Sequence, residues 1–301
     1  VAFMPNSALR EPDEPEEYPV AVRVFAESFP QPLRVVVRAI AIPLWILICY
    51  LAMRALYLAT LGRPEQRKSR AKKLSIRWQQ TMRYLIGIRV FVRGKIPDHP
   101  FFLVGNHHTW IEIFCNNILR TARIVMMSES AAFPFAGLLV QGLDPITVDR
   151  KRTSVPMVVE ELVATLRRGE SVRIAPEGAV TPGHMIRRYH AALLEAAIVT
   201  GMPVHYVTVH WRTPAGCRPP SQSVLFGPDP LMHDESGRFP PAELELWGPR
   251  RSFLPQMVRL LALPHCDLVA RFGPEPIRGE DRVSLAKALH AASLKIFTPS
   301  A

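Results

Sequence analysis

Residues 104–114 read VGNHHTWIEIF. They close an apolar run that starts at Phe101 and open a second pattern at Trp110. FFLVG (101–105) has the length and composition of a buried strand, and WIEIFCNNILR (110–120) has helical spacing. The stretch therefore predicts a strand, a short turn and a helix. Asn106, His107 and His108 fall in the turn, and Glu112 falls just inside the helix. Five residues separate His107 from Glu112, about 140° around an ideal helix, so the two diverge if both are helical. They meet only if His107 sits in the turn before the helix. A carboxylate on one imidazole nitrogen would then fix the tautomer and raise the basicity of the other, an arrangement suited to taking a proton from a hydroxyl. Two plainer readings stand beside this one. TWIE (109–112) has capping-box spacing, which would employ Glu112 at the helix start. His108, four residues before Glu112, is a rival partner. Zinc is excluded on spacing: there is no His-Glu-x-x-His and no third ligand nearby, so no metal is expected.

Outward from this stretch, short apolar runs alternate with helical patterns. RVFVRG (89–94), RIVMMS (123–128), ITVDR (146–150), SVRIAP (171–176), PVHYVTVHW (203–211) and DLVARFG (267–273) read as strands. SVPMVVEELVATLRRG (154–169), HAALLEAAIVTG (190–201) and RVSLAKALHAASLKIF (282–297) read as helices. This alternation predicts an α/β domain over 85–298, with a mainly parallel central sheet flanked by helices and a proline-rich excursion over 213–256. In such sheets functional residues gather beyond the carboxyl ends of strands. His107, Arg150 and Glu177 all lie at such ends. Arg150, with Lys151 and Arg152, precedes a helix capped by Thr153 or Ser154, a natural site for a phosphate or carboxylate. APEGAV (175–180) runs a strand into Pro-Glu-Gly, where Gly178 permits close backbone approach and Glu177 needs a polar partner.

The amino-terminal third has a different character. EPDEPEE (11–17) is acidic and proline-punctuated, and residues 1–32 read as a disordered tail. Residues 33–84 read as a hydrophobic membrane-associated segment followed by a basic juxtamembrane helix. Residues 39–61 form 23 apolar positions broken only by Arg54, about the length that crosses a hydrocarbon core. Pro43 and Arg54 leave a spanning helix, a re-entrant segment in one leaflet and a buried core helix all open. The run starts too far from the first residue, behind an acidic stretch, to be a signal peptide. Residues 63–95 hold eleven Lys or Arg against one acid, Glu65, within a chain of net charge +11. Beside an apolar segment such a patch reads as contact with an anionic bilayer surface on the cytoplasmic side. Nucleic-acid binding is excluded as the reading: only Trp78 and Tyr84 interleave the basic residues, and no recognition motif follows. Cys49, Cys115, Cys217 and Cys266 are widely spaced, which points to a reducing compartment.

The order of these signals carries more than any one of them. Asn-His with an acid five positions after the histidine (His-x4-Glu), a strand ending in arginine, Pro-Glu-Gly, and a Pro-led strand (MPVHYVTV, 202–209) resemble the four-block signature of the glycerolipid acyltransferase family, which includes lysophosphatidic acid acyltransferase. The resemblance covers roughly residues 85–275. It implies an enzyme anchored to the cytoplasmic face of a membrane (the inner membrane in a bacterium) through a short helical pair. It implies His107 as the base assisted by Glu112, and Arg150, Glu177 and Gly178 at the acceptor. The acceptor would be a lysolipid and the donor acyl-CoA or acyl carrier protein, a co-substrate rather than a cofactor. Two departures stand out: Glu112 replaces an aspartate, and Ala179 and Val180 replace the Thr-Arg of the third block. The second favours a lyso-aminolipid of the ornithine-lipid kind over lysophosphatidate, unless Arg187 or Arg188 compensates. Asn106 and His108 are accessory candidates, and a catalytically inactive lipid-binding relative is the remaining alternative.

Overall fold

A computed structural model describes residues 16–128, 135–149, 155–178, 180–181, 183–224 and 253–300. Its centre is an eight-stranded sheet: β1 (Glu17–Ala21), β2 (Ile88–Arg93), β3 (Phe102–Gly105), β4 (Arg123–Met127), β5 (Ile146–Val148), β6 (Val172–Ile174), β7 (Val204–Arg212) and β8 (Cys266–Phe272). The spatial order is β1-β2-β8-β7-β3-β6-β4-β5. Five of the seven pairings are parallel, as the alternating pattern predicts; β1–β2 and β7–β8 are antiparallel. β3 lies between β7 and β6, buried on both faces, which explains its unbroken apolar run.

Each face of the sheet buries its own core. On one, Leu103, Val207, Val209 and Trp211 pack with Trp78, Met82, Ile111, Phe114 and Leu139. These come from α2 (Pro64–Ile86), a 3₁₀ helix (Trp110–Cys115) and α3 (Ala136–Gln141). On the other, Phe102, Val104, Val172, Ile174 and Tyr206 pack with Leu162, Ala197 and Leu289. Those belong to α4 (Val155–Arg167), α5 (Glu195–Thr200) and the last helix, Arg282–Ile296. That last helix starts from Asp281, whose side chain accepts the Val283 and Ser284 N–H groups, a conventional amino-terminal cap.

α1 (Gln31–Ala59) and α2 form an antiparallel hairpin between the first two strands. Among the described residues, arginines join its base to the domain through backbone carbonyls. Fully buried Arg38 donates to the carbonyls of Phe25, Leu261, Leu263 and Pro264 at 2.7–3.2 Å. Arg34 donates to Ala26, Glu27, Phe29 and Ala262. Away from this base, Val36, Ile40, Leu44, Leu47 and Leu51 stand exposed at spacings of three and four, one apolar stripe along the helix. α1 is long and apolar enough to cross a membrane.

Three expectations need correction. Residues 17–21, placed in a disordered tail by their acidity, form the edge strand β1; Glu17 pairs with Arg93 at 3.1 Å and Arg212 at 2.7 Å. Its charge resembles a solvated run only until the fold brings those bases alongside. Residues 1–15 lie outside the described residues. The helix expected over 110–120 is a 3₁₀ helix of six residues. Within 213–256, a short helix α6 (Pro220–Ser223) and the start of α7 (Phe253–Ala262) replace part of the irregular excursion.

Candidate active site

β3 ends at Gly105, and the turn after it carries the dyad. Asn106 continues the strand pairing with its side chain: Oδ1 accepts the Val209 N–H at 2.7 Å and Nδ2 donates to the Val209 carbonyl at 2.9 Å. The backbone is thereby fixed to β7 while the chain leaves the sheet, and His107 turns outward. His107 Nδ1 lies 2.8 Å from Glu112 Oε2. A carboxylate only accepts, so Nδ1 carries the hydrogen and Nε2 keeps its lone pair. Among the described residues Nε2 has no partner, and the His107 side chain is 34% exposed.

Glu112 performs both roles open to it in the sequence. While Oε2 holds His107, Oε1 accepts the His108 backbone N–H at 3.0 Å, a cap at the start of the 3₁₀ helix. The Trp211 indole N–H approaches the same oxygen at 3.4 Å. Burial by itself would raise the Glu112 carboxyl, but the His107 charge and hydrogen bond, with His108 and Arg173 nearby, hold it down at about 2. It is the ionised partner of the pair at neutral pH. His108 is no rival: its ring turns inward, fully buried, with Nε2 2.8 Å from Asn106 Nδ2, and burial lowers it to about 4.

Glu177 closes the back of the turn. Its Oε1 accepts the His107 N–H at 3.1 Å and its Oε2 accepts the Arg187 N–H at 2.8 Å. Burial pushes this carboxyl up to about 8 against those two hydrogen bonds. Gly178 has φ +70°, and a Cβ there would stand 3.3 Å from the His190 ring, so both backbone and space favour glycine. Arg188 follows Arg187 at the surface. Arg150 and the capping residues Thr153 and Ser154 lie outside the described residues, as does Ala179.

Sequence reading missed four contributors. Buried Thr181 donates to the His107 carbonyl from its N–H at 2.7 Å and its hydroxyl at 3.2 Å. Trp211 reaches Glu112, and its backbone N–H donates to Ser300 Oγ at 2.9 Å. Arg173 in β6 adds a positive charge beside Glu112. Thr181, Trp211, Arg173 and Ser300 are ordinary residue types for their places in the chain, and only the fold brings them to the dyad.

A family model described as acyltransferase matches residues 88–210, which contain this entire turn. Over those residues the chain is similar to acyltransferases. Curated relatives agree. A lyso-ornithine lipid O-acyltransferase of Pseudomonas aeruginosa is 27% identical over 231 residues, 76% of this chain and 81% of the relative. A 1-acyl-sn-glycerol-3-phosphate acyltransferase of the same organism is 29% identical over 174 residues, 54% of this chain and 66% of that one. Among solved structures, the 1-acyl-sn-glycerophosphate acyltransferase PlsC of Thermotoga maritima matches at a TM-score of 0.48 and 17% identity, covering 87% of this chain and 99% of that one.

Proposed function

We propose that this acyltransferase esterifies the free hydroxyl of a lysolipid at a membrane surface, with acyl-CoA or acyl carrier protein as donor. The observation that carries the reading is the 2.8 Å His107–Glu112 contact, which leaves Nε2 as an exposed base. Nε2 takes the hydroxyl proton as the oxygen attacks the thioester carbonyl carbon. Glu112 stabilises the imidazolium that forms. Collapse of the tetrahedral intermediate breaks the C–S bond, and the departing thiolate recovers the proton from Nε2. Atoms and charge balance in one displacement, with neither an acyl-enzyme nor a cofactor.

Two observations favour a lyso-ornithine-type acceptor over lysophosphatidate: the likeness to a lyso-ornithine lipid acyltransferase over four-fifths of its length, and Ala179-Val180 in place of Thr-Arg. The intact dyad weighs against an inactive lipid-binding relative. Topology supports attachment through a single leaflet. β1 precedes the hairpin and β2 follows it, yet they pair in one sheet, so both lie on the same side of the bilayer. α2, with exposed Lys68, Arg70, Lys73 and Arg77, is too charged to cross. α1 therefore enters one leaflet through its apolar stripe while α2 rests on anionic head groups at the cytoplasmic face.

The test is acyl transfer from a labelled donor to lyso-ornithine lipid and lysophosphatidate, by wild type and His107→Ala in purified membranes. His107-dependent ester formation, greater on lyso-ornithine lipid, is expected. Absence of His107-dependent product on any lysolipid overturns the reading.

A further inference from the structure

Arg173 is a cation that, among the described residues, makes no ion pair or hydrogen bond, although Glu112 lies near enough to feel its charge. It lies mid-strand in β6, in register with Leu103 on β3 and Ile124 on β4. Its neighbours Val172 and Ile174 point into the core beneath α4 and α5. Alternation along the strand puts Arg173 on the opposite face, in the apolar layer of Leu103, Cys115 and Met126 under the 3₁₀ helix and α2. The guanidinium extends along the sheet toward the catalytic turn. A Cβ placed on Gly105, two residues before His107, would stand 3.8 Å from its Nη2. Val207 packs closest to that position, at 2.9 Å from such a Cβ, and the guanidinium rests just beyond it.

Among the described residues none of its five N–H donors meets an acceptor. Glu112 is electrostatically close enough to feel the charge, but its oxygens are already taken by His107, the His108 N–H and the Trp211 indole. A half-buried, unpaired guanidinium in an apolar layer costs free energy that an anion at the same place would offset.

We propose that Arg173 receives an anionic oxygen of a substrate beside His107. This rests on the acyl-transfer reading above and adds to it a determinant outside the four blocks. Two sources supply such an oxygen: the head-group phosphate or carboxylate of the acceptor, and the thioester oxygen as it becomes an oxyanion.

Steady-state kinetics of wild type, Arg173→Gln and Arg173→Lys with lysophosphatidate, lyso-ornithine lipid and uncharged monoacylglycerol separate them. If the anion is the head group, Arg173→Gln raises KM for the charged acceptors about tenfold or more, leaves monoacylglycerol and donor KM alone, and Arg173→Lys recovers part of the loss. If it is the oxyanion, kcat falls on all three acceptors by a similar factor. Should the glutamine variant not fold, the lysine variant gives the same comparison, because it keeps the charge and loses the planar fork. Wild-type-like kcat and KM for Arg173→Gln, or a change only in pH profile, overturns the proposal and leaves Arg173 as a neighbour that keeps Glu112 ionised. Failure of the acyl-transfer reading appears separately, as absence of His107-dependent product from wild type.

Discussion

His107 depends on three separate restraints. Its backbone N–H, carbonyl and ring each have a partner: Glu177, Thr181 and Glu112. His107→Ala should lower kcat by roughly 10²–10⁴-fold, the usual range for a lost general base, with little change in thermal stability. Glu112→Gln keeps the shape but gives the ring an amide in place of a carboxylate, so kcat should fall while acceptor KM holds. Glu177 makes a different prediction. Its folded-state carboxyl titrates at about 8, above the ordinary glutamate value near 4.3. The folded protein therefore binds a proton that the unfolded chain has released across that window, and this contribution to stability declines as pH rises from about 4 to 8. Glu177→Gln, a mimic of the neutral acid, should flatten the decline in a thermal-melt series; an unchanged slope would show that Glu177 is not its source.

At the scale of elements, the dyad is held by pieces distant in sequence. Residues 297–300 lie along β7: Phe297 stacks edge-on to His108, Ser300 Oγ accepts the Trp211 N–H, and the Ser300 N–H donates to Gly183. Trp211→Phe removes one donor from Glu112 while filling the same space. It should cost a few-fold in kcat at constant KM, since Glu112 loses one of the donors that hold it against His107. The strand, turn and acid at 101–112 were legible because one local pattern, apolar run followed by polar turn, fixes both the fold there and the side from which His107 meets Glu112. β1 was not legible. Its pairing depends on Arg93 and Arg212, 76 and 195 residues away from Glu17, and in sequence Glu17 belongs to an acidic run. The 3₁₀ helix was drawn too long because WIEIFCNNILR keeps helical spacing past Cys115, while packing of Ile111, Phe114 and Cys115 against α2 fixes where the element ends. Thr181, Trp211 and Arg173 left no signal, since a contact between strands has no fixed spacing along the chain.

For the whole molecule, the proposed membrane contact has two contributions that salt distinguishes. The basic face of α2 should bind anionic vesicles with about 1 kcal/mol per suitably placed Lys or Arg, weakening with ionic strength, whereas the apolar stripe of α1 should hold in high salt. Flotation with vesicles of anionic or zwitterionic lipid across a salt series reads both. Substituting Leu44, Leu47 and Leu51 by serine should remove the salt-resistant part alone. Arg38→Ala should be among the more damaging single changes, at about 2–5 kcal/mol, because four buried carbonyls lose their donor.

The strands on either side of the hairpin belong to one sheet, and Arg34 and Arg38 tie the hairpin to Ala262 and Leu263 just before β8, so in the proposed membrane-bound state the height of His107 above the lipid is a fixed dimension of the molecule. On the proposed function, lysolipids would reach the base by sliding within the leaflet. Turnover in vesicles should follow the surface mole fraction of acceptor, and adding inert lipid at constant bulk acceptor concentration should slow the enzyme.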